Sequence, residues 1–534
     1  MTSESVHLIL RDSAYARQFL REHPGCRVVQ TLLNRYFLIQ APARDAQSAA
    51  FPPPMLLQPL GRREGGGGSP AVPAAMPGLT GQGVLIGIVD TGIDPALDIF
   101  RRGGESRLLA LYDQTAPGSP PAGFACGAHF SRGQIQSLLA GDPPASFRDP
   151  LGHGTFLASV AAGCGGGFLG AAPEALLAAV KLRPAGPWAC GRLGMDPDRA
   201  DLFSDADVAL GVEFVREQAR RAGLPAVICL GLGAQFGSHD GSSVLEQYLG
   251  DVAALPGVCL CAAAGDEGRR HRQVRGRLGA DGDDQTVDLR VGDAAGTIAA
   301  GLWSAAADAL TLSIRAPSGQ LTPPVPLRPG ARVRQTADRA EAEVESFSGE
   351  YGTMTLLRLT GARDGTWSLI LHGKAVQDGQ YHAWLCPAGP VVPEAEFLES
   401  DPSCTVTIPG TMVGGIICGA WDSVRDVLWE DSSWGPTRLP RMAPDLTAPG
   451  VRIEGYFPDG PGAMSGTAVA AAVTAGVCAQ LCQRYTQRGR TPDTYALRSD
   501  LIRGCRRREC LDYPNPQWGF GVLDAPQTLL LEDK

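Results

Sequence analysis

The chain predicts an α/β fold, a parallel sheet flanked by helices, with a small α/β unit ahead of it and a β domain inserted into it. Three observations carry that expectation. GVLIGIVDTG at 83–92 reads as a buried strand, a short β-branched run closing on an acid and a glycine turn. Two small-residue apolar stretches, FLASVAAG and AVAAAVTAGVCAQL, follow glycine turns at Gly152–Gly154 and Gly466 and read as buried helices. Between them lies a long run of short alternating strands.

Taken in order, Val6–Leu10 reads as a strand, residues 13–22 as a helix, and Val28–Leu33 and Tyr36–Ile39 as two more strands. A Pro-rich stretch at 52–59 and the tract GRREGGGGSP at 61–70 follow, the latter with the composition of a flexible, cleavable linker. TVDLRV (286–291), ALTLSIRAP (309–317), TMTLLRLTG (353–361), GTWSLILHG (365–373) and QYHAWLCP (380–387) alternate apolar and polar residues between Gly, Pro and Asp. That pattern predicts a β-sandwich or jelly roll. The expected divisions are 1–75 for the first unit and linker, 76–275 and 405–534 for the two parts of the sheet domain, and 276–404 for the insertion.

With 534 residues the chain has material for more than one domain. Hydrophobic content of 44% and charged content of 19% are ordinary for a globular protein, and a net charge of −9 makes no case for nucleic acid. No run reaches about 18 consecutive apolar residues, so no membrane span is expected. The N-terminus MTSESVHLILRDSAYARQFLREH is charged throughout and lacks the apolar centre of a signal peptide. The 14 cysteines form no CxxC pair and are expected as reduced thiols, several in apolar runs. No HExxH zinc pattern is present, and no cofactor is expected.

Three separate segments carry chemistry. Ser465 precedes an apolar helix, where unpaired N–H groups and the dipole favour an anion beside an attacking oxygen. Asp90 ends the 83–92 strand, and His153 in Asp149-Pro150-Leu151-Gly152-His153-Gly154-Thr155 opens another helix. Nucleophile, base and orienting carboxylate are the three parts of a Ser-His-Asp triad, and Asp–His–Ser is one of its convergent chain orders.

The flanks VDTGID, GHGT and GTAVAAA resemble the signature blocks of the subtilisin-like serine peptidases. Ser432–Thr437 and Pro444–Val451 resemble the family's approach to its serine. The resemblance covers most of 79–275 and 405–525. It implies a subtilisin-like fold in which 1–75 is a prodomain and linker, self-cleaved somewhere between about Leu57 and Gly78. It also implies Asp90, His153 and Ser465 as the catalytic residues. Leu230, Gly231, Leu232 and Gly233 are then the substrate-binding edge, and Glu267 the rim of the first specificity pocket, suited to a polar or basic side chain. Asp266 falls at the oxyanion position, where the family normally has Asn. An ionised carboxylate repels an oxyanion and one lost donor costs about 10²–10³ in turnover, so the expectation is slow, acid-favoured catalysis improved by Asp266→Asn.

The interval from 276 to 404, Gly237–Gly241 and Tyr513–Gly521 resemble the Csp-type peptidases of clostridial spore-formers. That likeness implies a jelly-roll insertion, a cytoplasmic or spore-associated location, and a proprotein substrate such as a spore cortex-lytic zymogen. Some members of that group have lost catalytic residues and act as regulators or sensors by binding protein. Subtilisin-like folds often hold calcium, but nothing in the sequence fixes a site. His271 and Asp94 read as a surface residue and a turn residue. The glycines around Gly81–Gly87 precede and interrupt their strand, which makes a dinucleotide-binding reading weak.

Overall fold

The computed structural model describes residues 4–48, 52–68, 78–141, 147–292, 296–386 and 395–531. Five parallel strands form the heart of the molecule. They run in the order Leu108–Asp113, Leu176–Lys181, Leu85–Asp90, Ala226–Leu230 and Val258–Ala263. Ile416–Asp422 and Leu446–Pro449 extend the sheet in the same sense, and Ala128–Ser131 and Val427–Leu428 close its edges antiparallel. Residues on both faces of Leu85–Asp90 are buried, as expected of a strand covered by helices on either side.

The helix Thr467–Gln487 lies on one face, buried along all but its last turn, and the helix His153–Ala162 packs beside it. Asp205–Ala222 covers the other face. Small residues let these elements approach closely. A Cβ on Gly87 would collide with Val215 across the strand–helix contact, so that glycine serves packing rather than a phosphate. Cys259, Cys261 and Cys478 meet inside this core, with Cys261 and Cys478 Sγ atoms 3.8 Å apart as thiols. No helix among the described residues is long and apolar enough to cross a membrane.

The first unit is a three-stranded antiparallel sheet, Ser5–Arg11 beside Tyr36–Pro42 beside Arg27–Leu32, with the helix Ala14–Glu22 against it. It docks on Asp205–Ala222 through His7 and Arg183, which both reach Asp207. Residues 273–397 form two antiparallel sheets of six and five strands sharing one apolar core around Trp367. Every strand expected there is found, because alternation survives wherever one face of a sheet is dry and the other wet. The sandwich is joined to the sheet domain by a stack of His382, Trp384 and His239, and by Arg438 over the Trp303 ring.

Candidate active site

The segment after the first unit crosses the carboxyl edge of the parallel sheet, where open α/β sheets place their ligands. Leu56–Pro59 lies as the middle strand between Leu232–Gly233 and Phe203–Ser204, pairing antiparallel with both. Leu60 N–H donates to the Gly231 carbonyl at 2.9 Å. The chain then turns at Gly61, whose φ of +119° favours glycine, and Arg62–Glu64 pairs antiparallel with Ala463–Ser465. A continuous peptide thus runs through the cleft as an added strand. Leu230–Gly233 forms the edge that the sequence assigns to substrate, and Gly233 must lack a side chain. A Cβ there would sit 2.9 Å from Leu60 Cδ1.

Asp90 and His153 come together from strand end and helix start. His153 Nδ1 lies 2.8 Å from Asp90 Oδ1, and Thr91 N–H donates to the same oxygen at 2.7 Å. Asp149 anchors the turn before the helix, accepting from Gly152 N–H, Thr155 N–H and the Thr155 hydroxyl. Burial pulls the His153 pKa down, but the Asp90 charge and the bonds to Asp90 and Leu60 outweigh it and leave the value raised.

Ser465 is not where the sequence reading puts it. It ends the strand Gly460–Ser465, is fully buried, and pairs opposite Arg62. Its hydroxyl oxygen accepts from Arg452 N–H at 2.8 Å. His153 Nε2 instead faces the Leu60 carbonyl oxygen at 3.0 Å. The residue beside the imidazole is Ala468. A Cβ built on Gly231 would lie 3.1 Å from the Ala468 methyl and 3.2 Å from His153 Cε1. The helix begins at Thr467, so a nucleophile borne on its first turn must follow Gly466. That offset was the signal available in the sequence: a serine two residues ahead of the helix cannot share the anion site of its N-terminus.

Asp266 stands at that N-terminus. Its Oδ1 accepts from Thr467 N–H at 3.0 Å and from the Thr467 hydroxyl at 2.7 Å, so it caps the helix from a neighbouring loop. Burial pushes its pKa up to about 6, against the downward pull of the Thr467 bonds. Glu267 is buried 3.6 Å from Arg272, and burial leaves its pKa raised despite that cation. The residue seated ahead of the cleft's centre is the apolar Leu60, not a polar or basic one. His271 pairs with Ser400 at 2.6 Å on the surface, and Asp94 is a buried turn residue that accepts from Ala96 N–H. Among the described residues the one group of possible metal ligands is the buried thiol cluster at Cys259, Cys261 and Cys478.

Fold and cleft define a subtilisin-like peptidase. A family model described as the Subtilase family matches residues 81–504, and the chain belongs to that family, the subtilisin-like serine endopeptidases. The structure of the Clostridium perfringens CspB protease is similar at 25% identity and a TM-score of 0.73, covering 84% of this chain and 93% of that one. The patellamide maturation protease PatA, at 16% identity and a TM-score of 0.40, covers 84% and 96%. MycP1 with its N-terminal propeptide removed, at 14% and 0.39, covers 85% and 93%. No curated protein matches.

Proposed function

We infer that this member of the family works by holding a peptide in its cleft rather than by cutting it. The observation that carries the reading is the Ala468 methyl beside His153, at the head of the helix where attack would have to start. A methyl group can neither surrender a proton to the imidazole nor bond to a carbonyl carbon, so the base has nothing to activate. The carboxylate of Asp266 argues the same way, because it spends its acceptor on the helix and offers no donor to an oxyanion.

On this reading residues 1–75 are a prodomain that stays attached, and Leu60–Gly61 is the bond that an active relative would cut. The sandwich corresponds to the jelly-roll insertion of the Csp group. The likeness to CspB supports a role in germination, as a regulator or sensor that acts on a protein partner by binding. Activation of a spore cortex-lytic zymogen would require a hydroxyl within reach of His153.

Intact-mass measurement tests the reading. Wild type and Ser465→Ala are expected to keep full length on prolonged incubation. Ala468→Ser combined with Asp266→Asn is expected to split between Leu60 and Gly61. A wild-type chain that sheds its first 60 residues in a Ser465-dependent manner would refute it.

A further inference from the structure

His153 sits between two oxygens that can only accept: the Asp90 carboxylate at 2.8 Å from Nδ1 and the Leu60 carbonyl at 3.0 Å from Nε2. A neutral imidazole carries one N–H, so in either tautomer one of these contacts would set lone pair against lone pair. Only the imidazolium donates to both. A working base needs the opposite arrangement, an Nε2 lone pair facing a hydroxyl.

We propose that His153 is a peptide-holding residue in its cationic form, donating from Nε2 to the Leu60 carbonyl, and that loss of one ring proton loosens the segment Leu56–Glu64 in the cleft. This rests on the reading of the cleft as a binding site. The ring is half of a charge-assisted pair, and hydrogen bonds of that kind are shorter and stronger than neutral ones.

Other charged groups stand around the imidazole. Asp90 meets it from the central strand, and Asp149 from the turn before its own helix. Lys181 is paired opposite Asp90, but its ammonium donates to the Arg148 carbonyl at 2.9 Å and lies 3.9 Å from Asp113. Asp266 caps the helix across the cleft, and Arg62 and Glu64 flank it on the bound segment. The carboxylates nearest the ring favour its charged form, which agrees with the raised His153 pKa. A raised value means that the grip is complete at low pH and is lost as pH rises through it.

The test uses the full-length protein. Nitrogen-15 spectra of ring-labelled histidine, with His153 assigned by its loss in His153→Gln, are expected to show both ring nitrogens protonated at pH 6. Hydrogen-exchange protection of the amides in Leu56–Gln58 and Arg62–Glu64, corrected for intrinsic rate, is expected to fall roughly tenfold between pH 6 and pH 9, the scale of one charge-assisted bond. The fall should persist in Asp266→Asn, move to lower pH in Asp90→Asn, and vanish in His153→Gln. A singly protonated ring at pH 6, or a wild-type pH profile in folded His153→Gln, overturns the proposal. The spectra need no variant to fold beyond the one used for assignment. If the wild-type chain instead proves to shed residues 1–60, the binding reading fails; an intact chain with a neutral His153 defeats only this inference.

Discussion

A carboxylate at residue 266 makes sense once its partner is a helix end rather than a transition state. The bonds from Thr467 N–H and Oγ satisfy one of the four orphan donors of the helix and place negative charge at its positive pole. The cost is desolvation, visible in a pKa raised to about 6. A carboxyl whose folded value lies above its unfolded one weakens the fold as pH climbs from about 4 through 6. Asp266→Asn is therefore expected to flatten the pH dependence of stability across that window, by about 3 kcal/mol at most, as urea denaturation at several pH values would show. With Ala468 unchanged, the same substitution should bring no hydrolysis of peptide substrates. Asp90 and His153 were readable from sequence because a strand end and a helix start fix where a side chain points. Ser465 misled because its glycine-rich surroundings concealed a register. It belongs to the end of a strand, and the helix opens two residues later.

At the level of elements, the middle strand Leu56–Pro59 is held on both edges, with Phe203 opposite Leu57 and Leu232 opposite Pro59. Leu57 is fully buried between them. Leu57→Ala is expected to cost about 2–5 kcal/mol in denaturant unfolding and to open the segment to added protease, while a surface change such as Arg44→Ala should do neither. Gly231→Ala should be as damaging, since a methyl there meets Leu157, Ala468 and His153 together. The Pro-rich stretch carried no strand expectation, and only the glycine tract after it read as a linker. Pro59 suggests a break, but Pro is tolerated in a strand where its nitrogen needs no partner, and a three-residue register with Gly231–Gly233 leaves no periodic trace. The sandwich strands were legible for the opposite reason, since each is long enough to alternate. The joint between sandwich and sheet domain, built on His239, His382 and Arg438, was not. It depends on side chains some 140 to 200 residues apart meeting in space, which no local pattern records.

Across the whole molecule, several buried or half-buried groups share one sign. Burial lifts Asp205 and Glu246 to about 7 and Asp266 to about 6, and His153 is raised as well. Each holds a proton in the folded chain that the unfolded chain releases sooner, so each contributes stability that is lost as pH rises. Asp207 opposes them, held down to about 2 beside Arg183 and His7, but its contribution is already complete above about pH 4, whereas His129, His239 and His382, lowered by burial, oppose them within the range from pH 5.5 to pH 8. Between pH 5.5 and pH 8 the melting temperature of Glu246→Gln is thus expected to shift upward relative to that of wild type, in calorimetry at fixed salt. A constant offset between the two proteins across that range would show that Glu246 does not titrate there with a raised value.

The central claim is that the position of attack beside His153 belongs to Ala468 and holds no hydroxyl. The most direct measurement is the intact mass of the wild-type protein after long incubation with an active-site-directed fluorophosphonate. The account predicts one full-length species with no adduct. A phosphonyl group on Ser465, or a chain shortened at its N-terminus by its own activity, would contradict it.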